Sequence, residues 1–145
     1  MAIGGDHLIK HISSNPLISL PVGGKSGEPG SGRPRALVTY LRSLRETRAM
    51  PIETVLPGHG EPVTDHVKLI DERFALHERR AAKLAGLIAE RPRSAYELAQ
   101  ELWGNVAVTQ AYLTLSEVLG HVDLLLERGA VGEEEIGGVV RFAPR

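Results

Sequence analysis

Cysteine is absent from the 145 residues, so neither a disulfide scaffold nor a thiolate metal site can be built here. Any metal bound by this chain would rest on histidine and carboxylate ligands. Aromatic residues are scarce, with one Trp, three Tyr and two Phe, and the core must be assembled from Leu, Val, Ile and Ala. Neither sign of charge dominates. The formal net charge is −1, which gives no bulk pull toward nucleic acid or an anionic membrane. No apolar run approaches the roughly 20 residues of a membrane span. The opening Met1-Ala2-Ile3-Gly4-Gly5-Asp6 has no basic stretch leading into an apolar one, so no secretory signal is expected and the cytoplasm is the expected compartment. What remains is the composition of an ordinary globular protein, 42% hydrophobic and 24% charged, long enough for one domain or two small ones.

Along the chain, Met1-Ala2-Ile3 reads as the last residues of a strand, with Gly4-Gly5-Asp6 turning out of it. Residues 19–33 are rich in Gly, Pro and Ser and read as a loop. Pro34 suits a first helical turn, and Leu37, Tyr40, Leu41 and Leu44 recur at helical spacing until Pro51 stops the segment. A short strand over Ile52–Leu56 leads into Pro57-Gly58-His59-Gly60. From about Asp65 the pattern becomes helical: one long helix over Val67–Glu90, a second opened by the capping box Ser94–Glu97 and ended by Gly104-Asn105, and a third opened by the similar pattern Thr114–Glu117. Gly129 suits the residue just past a helix end, and Gly137-Gly138 suits the turn of a closing hairpin. Three helices followed by a hairpin is the element order of a winged helix-turn-helix. The expected fold class is therefore α+β, with a few strands and a helix over 1–66 and a winged-helix module over 67–145.

Two residues carry metal-type chemistry on strand-end loops. His59 lies between glycines that leave room for close approach, and Asp6 follows Gly5 at the end of a short apolar stretch. A loop histidine serving turn geometry and an Asx-turn aspartate are the plainer readings. His7 and His11 read as loop residues beside this pair, His66 and His77 as solvated positions on the long helix, and His121 as a packed histidine at the core edge. Arg33, Arg35, Arg42, Arg45 and Arg48 read as the solvated face of the first helix. From Asp71 onward nine Arg/Lys stand against twelve Asp/Glu, and Glu133-Glu134-Glu135 falls where a wing would meet phosphate, so the module is a poor DNA reader.

The stretches Gly5–Leu8, Ile12–Pro16, Arg33–Leu44, Thr54–Val63, Leu69–Arg73, His77–Arg80 and Ser116–Leu125, taken in this order, carry a family likeness. The chain resembles the C-terminal part of metallo-β-lactamase-superfamily hydrolases, in the glyoxalase-II-like branch that ends in a winged helix. In that family a zinc pair is held by a His-X-His-X-Asp-His motif, a further His, a bridging Asp and a last His. The resemblance carries Asp6 onto the bridging Asp and His59 onto the last His, as metal ligands. The His-X-His-X-Asp-His motif and the intermediate His are absent from the 145 residues. The resemblance thus implies a zinc hydrolase of thioesters, esters or related substrates in a longer parent, with two zinc ions there and weak or absent binding here. The alternative is a stand-alone winged-helix interaction or regulatory protein. A half-domain this small leaves a strand edge and the Leu37–Leu44 face to be covered, by a second copy in a homo-oligomer or by the long helix.

Overall fold

The computed structural model describes residues 1–14, 16–18 and 33–145. The loop expected over 19–33 lies outside the described residues except for Arg33, as does Asn15. In chain order the elements are β1 (Ala2–Gly5), α1 (Ala36–Ala49), β2 (Val55–Pro57), α2 (His66–Glu90), α3 (Ala95–Trp103), α4 (Val106–Thr109), α5 (Ala111–Glu127), β3 (Val131–Ile136) and β4 (Val139–Pro144).

β1 and β2 pair in parallel, with Ala2 opposite Val55 and Ile3 opposite Leu56. Parallel neighbours need a long crossover, and the connection containing α1 supplies it. The second strand is shorter than the sequence pattern suggests and sits further along, at Val55–Pro57. An antiparallel bridge from Val55 to Val63 folds the following loop back onto it.

The helix limits follow from local chemistry. Asp65 caps α2 by accepting from the Lys68 amide at 3.0 Å. Ser94 and Glu97 form the full capping box at the start of α3. At the end of α5, the Gly129 amide reaches the Leu126 carbonyl and the Ala130 amide reaches the Leu125 carbonyl, a Schellman closure that Gly129 permits at φ 69°. The two-residue turn of the β3–β4 hairpin places Gly137 and Gly138 at φ 61° and 78°, conformations that favour glycine.

The start of α5 departs from the sequence reading. Thr114 does not cap it. The helix begins three residues earlier, at Ala111, after the short α4 that the sequence pattern did not reveal. The Thr114 hydroxyl instead donates backward to the carbonyls of Gln110 and Ala111, both at 3.2 Å. A hydroxyl bonded into the preceding turn belongs inside a helix rather than at its cap. Arg33 and Arg35 likewise precede α1 rather than lying on it.

Two apolar clusters form the core among the described residues. One joins Leu8, Leu37, Leu41, Leu44, Val55 and Val63 to Leu69, Ile70 and Leu124. The other joins Ala81, Leu84 and Ile88 to Leu98, Val118, Val122, Leu125, Val131 and Phe142. α2 and α5 contribute to both. The buried face of α1 is therefore covered from within the chain, by α2 and α5. Gly120 of α5 allows this closeness, because a Cβ there would come within 3.1 Å of the Leu37 side chain. No described helix is long and apolar enough to cross a membrane.

Candidate metal centre

Parallel pairing sets the C-terminal ends of β1 and β2 side by side, and each end carries one of the two singled-out residues. The chain leaves β1 through Gly5 at φ 50° and turns after His59 through Gly60 at φ 87°. The Gly58 amide donates to the Gly5 carbonyl at 2.7 Å and ties the two loops together. A Cβ on residue 58 would sit 2.8 Å from Asp6 Oδ1, so glycine is what lets the carboxylate lie across this position. A second tie is the ion pair between Lys10 and Glu61 at 2.5 Å. Its hydrogen bond from Lys10 holds the Glu61 carboxyl below the usual carboxylate range.

The outcome is that His59 Nε2 lies 3.8 Å from Asp6 Oδ1, with the side chains 80% and 70% exposed. Two donors sharing a tetrahedral ion with bonds of about 2.0–2.1 Å stand roughly 3.3 Å apart. A shift of about half an ångström would bring the pair to that spacing, and side chains this exposed make it freely. One imidazole nitrogen and one carboxylate are also the donor types zinc accepts. The pair thus fits as part of a metal centre. It is not a whole one: among the described residues, no group of three or more His, Asp or Glu is placed to hold a metal ion.

The neighbouring histidines are otherwise engaged. His7 Nε2 bonds Thr47 Oγ1 at 3.0 Å, its ring meets Tyr40 edge-on, and its carbonyl accepts from the Tyr40 hydroxyl at 3.0 Å. Burial lowers its pKa below the ordinary value. His11 is exposed. The Ser14 hydroxyl donates to the Asp6 carbonyl and fixes the backbone beneath the carboxylate.

His66 and His77 are not solvated, contrary to the sequence reading. They are 6% and 2% exposed. His77 occupies the buried stripe of α2, seven residues after Ile70 and seven before Leu84, a spacing that was available in the sequence. It stacks on His121 with ring centroids 5.2 Å apart. His121 Nδ1 donates to the Glu117 carbonyl at 2.7 Å, which leaves its Nε2 to accept from His77 Nδ1 at 3.0 Å. His77 Nε2 then accepts from the Ser13 hydroxyl at 3.3 Å. Both rings are neutral in this arrangement. Burial lowers both pKa values, and His77, with His121, Arg80 and Arg73 adding to the effect, falls to about 4. The chain after Asp6 is thus anchored to α2 and α5. Arg73 adds bonds to the Ile9 and Lys10 carbonyls, both at 3.0 Å.

No protein-family model matches the chain. It is 35% identical over 140 residues to the probable metallo-hydrolase YqjP of Bacillus subtilis, an alignment covering 97% of this chain and 42% of that protein. A solved beta-lactamase domain protein from Burkholderia ambifaria superimposes with a TM-score of 0.81 at 28% identity, over 99% of this chain and 41% of the other. A metallo-beta-lactamase family protein from Thermus thermophilus gives a TM-score of 0.73 at 27% identity, with coverage of 99% and 41%. The chain spans about two fifths of the length of each of these relatives.

Proposed function

We propose that this chain is the C-terminal portion of a metal-dependent hydrolase of the metallo-β-lactamase superfamily, in the glyoxalase-II-like branch. The observation that carries the reading is the convergence of Asp6 and His59, from separate loops, to 3.8 Å at the ends of two parallel strands. The similarity to a probable metallo-hydrolase and to two lactamase-type structures supports it over a stand-alone regulatory protein. In this reading Asp6 and His59 would be two of the ligands that hold the zinc, the remaining ligands coming from outside these residues. Zinc, when bound, would polarise a thioester or ester carbonyl and lower the pKa of a bound water. The contribution of this chain is to hold one carboxylate and one imidazole at the strand ends. α2–α5 and the hairpin are read as a winged helix that packs on the hydrolase body. The chain alone is catalytically incompetent, works in the cytoplasm and self-associates through the half-domain of β1, α1 and β2, where β1 has no second strand partner among the described residues and the Met1 and Ile3 side chains are 85% and 87% exposed.

The test is reconstitution. The part of YqjP that this chain does not match is fused ahead of Met1, and zinc content and thioester hydrolysis are measured. The expected result is about two zinc equivalents and turnover, both reduced in the Asp6→Asn and His59→Ala versions. A folded fusion that binds no zinc would overturn the metal assignment. Two tightly held zinc ions on the unfused chain would overturn the claim that it is incompetent.

A further inference from the structure

A cavity of about 180 Å³ opens between α2, α3 and α5, away from the Asp6–His59 pair. Its apolar lining is supplied by Leu84, 1% exposed, from α2 and by Leu102 and Trp103 from the end of α3. Its mouth is cationic, with Arg80 and Lys83 one turn apart on the exposed side of α2. Arg80 is ion-paired with Glu117, whereas Lys83 has no ion-pair partner among the described residues. The remaining polar wall, His121, has both ring nitrogens committed, one to Glu117 and one to His77. The lining therefore holds two cations, one anion and a neutral ring, a net charge of +1 placed at the opening.

Size and polarity together select an occupant. An engineered apolar cavity of roughly 150 Å³ takes up benzene, so this one admits a single six-membered ring bearing a small substituent. Trp103 and the leucines offer that ring a flat apolar wall. An unpaired ammonium at the rim favours a carboxylate over a neutral or cationic head. We infer that this cavity is a binding site for a small aromatic monocarboxylate, with the ring between Leu84 and Trp103 and the carboxylate at Lys83. The inference is independent of the metal reading, since none of the lining residues touches Asp6 or His59.

Trp103 is the one tryptophan of the chain and lines both this cavity and an adjoining one that lacks Lys83, so its fluorescence reports binding and the Lys83 variants assign it to this site. Titration of the purified full chain with benzoate should give a saturable response with a Kd of about 1 mM or tighter, in keeping with a ligand of this size. Benzamide and benzylamine, matched in shape, should bind at least about fivefold more weakly, and Lys83→Gln should weaken benzoate by a similar factor while Lys83→Arg retains it. Lys83 is exposed, so both variants should fold, which a thermal melt checks. No saturable response to benzoate at about fifty times that concentration would overturn the proposal. So would equal affinity for benzamide, or an unchanged affinity in Lys83→Gln.

Discussion

Acid should loosen this protein through His77. The ring is 2% exposed, lies between α2 and α5, and is held neutral by donating Nδ1–H to His121 while accepting from Ser13. Its pKa falls from 6.5 to about 4, chiefly through burial. In the unfolded chain the same ring returns to the ordinary value. Between those two pH values the unfolded state binds a proton that the folded state refuses, so stability is present above 6.5 and is lost progressively as the pH drops toward 4. Integrated from pH 7.5 to 4.5, the loss is at most about 2.5 kcal/mol. Arg73, Arg80, Glu78 and His121 also face the ring, and they are common to the wild type and a His77→Gln variant. Of these only His121 also titrates in this range, and because it stacks on His77 and bonds to it, the comparison reads the titration of the pair rather than of one ring. Urea unfolding of both proteins at the two pH values should show the wild type losing about 2 kcal/mol more than the variant. Equal losses, or an NMR titration of the His77 ring with its midpoint near 6.5, would refute the reasoning.

Removing the Phe142 side chain, 2% exposed in the second cluster, should cost about 3–5 kcal/mol by chemical denaturation and speed hydrogen exchange at the Arg93 amide, which bonds the Phe142 carbonyl. Ser94→Ala removes the side-chain half of the capping box, the bond the Ser94 hydroxyl oxygen accepts from the Glu97 amide, and should cost about 1 kcal/mol, read as a lower melting temperature that Ser94→Asp largely restores. Gly58→Ala should push the Asp6 carboxylate away from His59, and zinc-induced shifts of the His59 ring signals should weaken with less than about 1 kcal/mol change in stability. Gly60→Ala, at φ 87°, should instead cost about 1 kcal/mol through backbone strain.

Local chemistry was readable where one residue decides the outcome. Ser94 with Glu97, Gly129, and the Gly137-Gly138 pair each mark an element boundary that the structure keeps. Thr114 shows the limit of such marks, because a hydroxyl three residues before Glu117 can cap a helix or bond back into one. Which it does depends on α4 and on the Gln110 carbonyl being within reach. His77 shows the complementary failure: its identity suggested solvent, while its position on the Ile70–Leu84 stripe placed it inside. At the candidate site, Asp6 and His59 could be named from their glycine-flanked loops and from family likeness. Their mutual approach needed the register of β1 against β2, which two short apolar runs do not specify.

α2 carries two cores on one 25-residue rod, Leu69 and Ile70 serving one cluster and Ala81, Leu84 and Ile88 the other. A helix converts sequence length into rotation, about 100° for each residue. One residue inserted between Ile70 and Ala81 would swing the far core about a quarter-turn out of phase with the near one, and the His77 ring out of its seat against His121. Seven inserted residues return the phase to within about 20°. They also add about 10 Å of length, which α5, carrying both clusters alongside, does not match, so the length of this segment is a constraint as strict as any side chain in it.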